Sequence, residues 1–129
     1  MRRFTGGGDD RPAVARTWMT GATAAETAAP DRALLLERLS PPPGGSVLLA
    51  TCHRVELFGC GAPLESGAPV ARSETPARRH LFRLAAGLES AVPGEDQVLH
   101  QVREALARAR AREPLDPALQ RLFEDAIAA

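Results

Sequence analysis

The sequence has no tyrosine and no lysine, and aromatic residues make up only 4% of it. Packing must therefore rest on Leu, Val and Ala rather than on large rings. All sixteen basic side chains are arginine, balanced by sixteen acidic ones, for a formal net charge of zero. No global field draws such a chain onto DNA or a membrane surface, so neither is an expected partner; a local basic face is left open. No apolar run reaches the ~20 residues that a membrane span needs. The opening Met1-Arg2-Arg3-Phe4 and its three following glycines lack the apolar stretch of a secretion signal. The sequence holds only two cysteines. Without a signal they point to reduced thiols in a cytoplasm, which is the expected location. Gly6-Gly7-Gly8 has neither the spacing nor the strand-to-helix setting of a dinucleotide fingerprint. Zinc ligation by Cys52, His53, Cys60 and His80 lacks the paired Cys-x-x-Cys or His-x3-His elements of such sites, so no metal is expected.

What is present suits one small domain. The length is 129 residues, 44% of them hydrophobic and 25% charged, which allows a modest core. Small residues dominate from Pro12 to Ala29 and promise a weak helix at best. Pro30-Asp31 opens a better one, with Asp31 placed to cap it and Leu34, Leu35, Leu36 and Leu39 on its apolar side. Ser40-Pro41-Pro42-Pro43-Gly44-Gly45 ends it. Strands follow at Ser46–Ala50 and Val55–Phe58, then a loop from Gly59 to Glu74. Thr75-Pro76 reads as an N-cap and first helical proline, with Gly87 as the stop. A loop from Leu88 to Asp96 leads to the strongest helix, about Gln97 to Arg112, with Val98, Val102, Leu106 and Ala109 on one face and Glu104 supporting Arg108. Asp116-Pro117 restarts a helix striped by Leu119, Leu122, Phe123 and Ala126. The expected fold class is α/β in the α+β, sandwich-like sense: a single domain with a small sheet packed by helices.

Chemistry concentrates at Cys52. It ends a strand beside His53 and Arg54, and a thiol becomes nucleophilic as the thiolate, which cationic neighbours favour. A cysteine at a strand edge can equally be core filler. The polar Thr51-Cys52-His53-Arg54 interruption between apolar strands favours chemistry, whereas Cys60 has no such setting. His80 by itself reads as a packed or solvated helical histidine. Arg108, Arg110 and Arg112 fit a solvated face near a helix C-terminus, with RNA phosphate contact as the alternative.

Together, three ordered stretches resemble glutamyl-tRNA reductase. Leu48-Leu49-Ala50-Thr51-Cys52-His53-Arg54-Val55-Glu56-Leu57-Phe58 is similar to the family's LSTCNRxELY segment. His80-Leu81-Phe82-Arg83-Leu84-Ala85-Ala86-Gly87-Leu88-Glu89-Ser90 resembles HLFRVASGLDS, and Val92 to Arg103 resembles VLGEDQILGQVK. The resemblance covers most of residues 46–129. It implies that Cys52 attacks the ester carbonyl of glutamyl-tRNA to leave a thioester, which NADPH then reduces to glutamate-1-semialdehyde for tetrapyrrole (porphyrin) synthesis. It implies a positioning or proton-handling role for His80, a carboxylate clamp at Arg54, and substrate contacts at Thr51, His53, Ser90, Glu95, Asp96, Gln97 and Gln101. Here His53 replaces the family asparagine, Pro93 a leucine and His100 a glycine, and the N-terminal HKTAPVEVRE segment is barely visible. The NADPH-binding and dimerisation regions are not expected within residues 1–129. A separate chain carrying the cofactor domain, or a full-length reductase, is the implied partner beside glutamyl-tRNA. Alone, such a domain could form the thioester and let water hydrolyse it, as an esterase. Alternatives are a non-catalytic domain that binds glutamyl-tRNA or a reductase, and a metal- or redox-sensing thiol module.

Overall fold

A computed structural model of the chain describes residues 16–89 and 97–129. Four strands, β1 (Thr17–Thr23), β2 (Val47–Ala50), β3 (Arg54–Cys60) and β4 (Val70–Ser73), form one sheet in the order β2-β3-β1-β4. Every pairing is antiparallel. Four helices pack on it: α1 (Ala29–Leu39), α2 (Thr75–Ala85), α3 (Val98–Arg112) and α4 (Pro117–Ala128). This is the α+β arrangement expected from the sequence.

The sheet has two covered faces because side chains alternate along each strand. Met19, Val47, Leu49 and Phe58 point to one face and join the larger core with Leu81, Leu84, Val102, Leu119 and Phe123 of α2, α3 and α4. Trp18, Ala22, Val55 and Leu57 point to the other and pack on Leu35 and Leu39 of α1. Phe58 meets Phe123 edge to face, centroids 5.4 Å apart, which ties β3 to α4.

Two strands correct the sequence reading. The stretch expected to be a weak helix contains β1, a central strand, and the expected loop from Gly59 to Glu74 contains β4 at the sheet edge. β1 is covered on both faces, so it shows no polar–apolar alternation, and its threonines, glycine and alanine mimic loop composition. Small residues are what the position requires. A Cβ on Gly21 would lie 2.2 Å from the Val55 carbonyl oxygen and 2.8 Å from the Glu56 Cα. On Gly59 it would strike the Trp18 ring at 2.3 Å.

The helices follow their punctuation. Val98, Val102, Leu106 and Ala109 are all buried on α3, and Glu104 lies near His100 (3.4 Å) rather than Arg108. Asp116 caps α4 by accepting from the Ala118 amide at 2.9 Å. Asp31 does not cap α1. It lies inside the first turn, after Pro30, and the cap position is Ala28. Thr75 likewise falls inside α2, whose cap position is Glu74. Gly87, at φ 79°, takes the left-handed conformation that ends α2.

Gly21→Ala is expected to destabilise the domain by roughly 1–3 kcal/mol, because the neighbouring strand's backbone cannot yield to a methyl group. Urea unfolding checks this, and an unchanged midpoint would show that the β1–β3 approach is looser than described.

Candidate functional site

Cys52 stands on the reversal between β2 and β3. Ala50 and Val55 are the last cross-strand partners, and the Thr51 amide donates to the Arg54 carbonyl at 2.9 Å, which leaves Cys52 and His53 at the tip. The tip is fastened from several sides. The His53 amide donates to Thr51 Oγ1 (3.1 Å), and the His53 carbonyl accepts from the Ala24 amide (2.8 Å). Arg32, buried on α1, donates to the Cys52 carbonyl (3.2 Å) and the Thr27 carbonyl (2.6 Å). The backbone of residue 52 is thus held while its side chain, a free thiol, is exposed.

Behind the reversal, β3 carries charge into the core. Arg54, Glu56 and Phe58 alternate onto the face beneath α2, and Arg54 and Glu56 are 0% and 2% exposed. Arg54 Nη1 lies 3.4 Å from Glu56 Oε1, and Arg54 Nη2 donates to the Glu89 carbonyl. The other carboxylate oxygen of Glu56 lies 2.9 Å from Nε2 of buried His80. An ionised carboxylate can only accept, so Nε2–H is the donor. The His80 ring lies nearly parallel to Phe58, centroids 6.2 Å apart. Its Nδ1 is buried with no hydrogen-bond partner among the described residues, 3.8 Å from Glu89 Oε1. Glu89 in turn accepts from Arg83 Nε at 2.9 Å. Gly21, directly across from Glu56, leaves the space this carboxylate occupies.

Among the residues singled out from the sequence, Thr51, Cys52, His53 and Arg54 share the β2–β3 reversal, and His80 on α2 is linked to Arg54 through Glu56; no hydrogen bond or ion pair among the described residues joins His80 to Cys52. Gln97 is exposed at the N-cap of α3, where its carbonyl accepts the Gln101 amide. Gln101 Oε1 is buried with no hydrogen-bond partner among the described residues. Ser90, Glu95 and Asp96 lie outside the described residues. Glu56, Glu89 and Arg32 were not singled out. For Glu56 a signal existed: an acidic residue between apolar ones, two places from an arginine, shares that arginine's strand face.

Cys60 stands at the far end of β3. Burial pushes its thiol up, with Asp116 adding to the rise, against a weak bond from Thr17 (3.7 Å) and the Arg16 charge. A larger recess of about 340 Å³, lined by Arg16, Thr17, Gly61, Ala62, Pro63, Ser73 and Glu74, lies at this same far end and not beside Cys52. No group of three or more His, Cys, Asp or Glu side chains among the described residues is placed to hold a metal ion.

The geometry defines a class: an α+β domain on an all-antiparallel sheet, presenting a free thiol on a pinned reversal in front of a buried Arg–Glu–His array. Comparison with known proteins places it further. The family model described as "Glutamyl-tRNAGlu reductase, N-terminal domain" matches residues 21–129. A glutamyl-tRNA reductase from Thermus thermophilus is 41% identical over 114 residues, covering 80% of this chain and 29% of the relative. One from Xanthomonas campestris pv. phaseoli is 42% identical over 106 residues, 72% of this chain and 25% of the relative. The solved glutamyl-tRNA reductase from Methanopyrus kandleri superposes with a TM-score of 0.70 at 32% identity, over 88% of this chain and 33% of that one. The chain belongs to the glutamyl-tRNA reductase N-terminal domain family. It spans about a quarter to a third of the length of these relatives.

Two outcomes follow. Glu56→Ala leaves a buried guanidinium and imidazole unmatched and should cost about 3–5 kcal/mol in urea unfolding; a loss below ~1 kcal/mol would show the array to be energetically idle. Iodoacetamide at neutral pH should label Cys52 in the folded protein roughly tenfold or more faster than Cys60, whose thiolate burial disfavours. Peptide mass mapping reads the ratio, and equal labelling contradicts the assigned exposures.

Proposed function

We propose that this domain performs the acyl-transfer half of glutamyl-tRNA reduction, with Cys52 as nucleophile. The observation that supports this best is the exposed thiol on a reversal whose backbone is tied by Arg32, Thr51 and Ala24. A fixed, accessible sulfur saves the orientational cost of attack. In the step itself, the Cys52 thiolate forms a C–S bond with the glutamyl carbonyl. The ester C–O bond breaks, and the departing ribose hydroxyl of the tRNA takes up a proton. Thr51 and His53 flank the reacting carbonyl. The resemblance assigns Arg54 to the substrate carboxylate; its guanidinium is 0% exposed and engaged with Glu56 and the Glu89 carbonyl, so in this reading the Glu89 segment gives way when substrate enters. His80, whose Nε2–H is committed to Glu56, orients the charged array and handles a proton through Nδ1. Ser90, Glu95, Asp96, Gln97 and Gln101 complete the substrate contacts in this reading.

Reduction of the thioester needs a hydride donor, which the resemblance identifies as NADPH. The described residues do not fit that group: the sheet is antiparallel throughout. It therefore lacks the parallel strand–helix–strand unit whose helix N-terminus receives a pyrophosphate. This domain's share ends at the thioester, and its place in tetrapyrrole synthesis in the cytoplasm depends on the reducing half being supplied elsewhere.

The test is incubation of the protein with charged glutamyl-tRNA, followed by mass spectrometry for a glutamyl group on Cys52. A hydroxylamine-labile adduct, lost in Cys52→Ser, is expected. No adduct, or an equal adduct on the variant, contradicts the assignment. Retained binding of the tRNA without an adduct would instead favour a non-catalytic binding domain.

A further inference from the structure

On the outer side of His80 lies a cavity of about 190 Å³ lined by Arg72, Pro76, Arg79, His80, Arg83 and Glu89. Its charge is lopsided, with three guanidiniums against one carboxylate. Glu89 already holds Arg83 Nε at 2.9 Å and the Leu88 carbonyl accepts from Nη2 at 3.5 Å, while the guanidinium as a whole stays half-exposed. Arg72 and Arg79 are exposed and have neither hydrogen-bond nor ion-pair partners among the described residues. In a chain of zero net charge, this is a local excess of about two positive charges around a concave surface, a setting that favours anions. His80, whose buried Nδ1 has no hydrogen-bond partner among the described residues, forms part of the cavity wall. On a neutral ring Nδ1 accepts a hydrogen bond; on a protonated ring it donates.

Arg72, at the sheet edge, is too far from the thiol to serve a glutamyl group attached there, although Glu89 in the cavity wall accepts from Arg54 through its carbonyl. Arg72 is in register with Met19 and Phe58, while Arg54 is four residues back along β3 and two strands across. Sheet spacings put Arg72 roughly 16 Å from Arg54, and farther from Cys52. A glutamyl group spans only about 7 Å. What the cluster offers is several planar donors converging on one volume, which suits a tetrahedral oxyanion.

We propose that Arg72, Arg79 and Arg83, at the mouth of the His80 cavity, form a phosphate-binding site on the outer side of the Arg54–Glu56–His80 array. The phosphate has two possible sources: the backbone of an RNA, which rests on the function proposed above, or the free ion, which does not.

The test uses the intact protein and two probes. Inorganic phosphate is titrated at fixed ionic strength, with chloride as control, while the imidazole resonances are followed by NMR. The sequence has three histidines, so His53→Gln and His100→Gln assign the remaining signal to His80. Phosphate should shift the His80 signal saturably and leave His100 still. The double variant Arg72→Ala/Arg79→Ala, which changes only exposed side chains, should weaken the response roughly tenfold or more. Its unchanged thermal unfolding would show the fold to be intact. A response shared by chloride, or one that survives in the double variant, overturns the site. The second probe is uncharged tRNA. If it displaces phosphate, and the double variant lowers the slope of log affinity against log salt by about two, the source is RNA backbone. If phosphate binds and tRNA neither competes nor responds to the variant, the site takes the free ion. Neither probe requires thioester formation, so failure of the Cys52 chemistry and failure of this site are separate results.

Discussion

The bond between Glu56 and His80 is the constraint on which the site depends. It joins the middle of β3 to the middle of α2 inside a core that is otherwise aliphatic and aromatic. Through Arg54 the same carboxylate reaches the residue that closes the Cys52 reversal. Burying one acid with two basic partners costs desolvation that the ion pairs only partly offset. Replacing buried ion pairs of this kind with well-packed apolar side chains is often neutral or stabilising. An array of this kind specifies position rather than adding stability, and what it positions is the strand end that presents the thiol.

The remainder of the architecture serves that arrangement. Gly21 lets β1 run close to β3 and leaves room for Glu56. Phe58, one turn of the pleat further along, lies between His80 and Phe123 and fixes α2 and α4 over the same face. On the opposite face α1 brings Arg32 to the Cys52 carbonyl, so the reversal is fastened from both layers. The sheet edge then places Arg72 beside Arg79 and Arg83, making a basic mouth over the same histidine.

Much of this was legible in the sequence, for identifiable reasons. Proline and glycine punctuation marked α1, α2 and α4, a short apolar run marked β2, and period-two alternation marked β3. β1 was illegible because a strand covered on both faces, with only Trp18 and Met19 among threonines, glycine and alanine, has neither alternation nor bulky β-branched residues. β4 is four residues long and mostly exposed, so it has little apolar content to betray it. Asp31 looked like a cap by type, but Pro30 already lies within the first turn and sets the helix start earlier. At the site, Cys52 and His80 stood out through motifs. Glu56 did not, because an acidic residue in an alternating strand suggests a solvent-facing side chain until α2 is known to cover it. The link from β3 to α2 spans 24 residues of sequence separation, and no local pattern reports a contact of that range.

The direct measurement of the central claim separates the thiol's placement from its intrinsic reactivity. Rates of glutamyl transfer to Cys52 and of Cys52 alkylation by iodoacetamide are compared in the parent protein and in Glu56→Gln, which keeps the shape and removes the charge. The account predicts that glutamyl transfer falls by roughly tenfold or more while alkylation is unchanged, since only the larger substrate needs the strand end held in place. Equal rates of glutamyl transfer in the two proteins would contradict it.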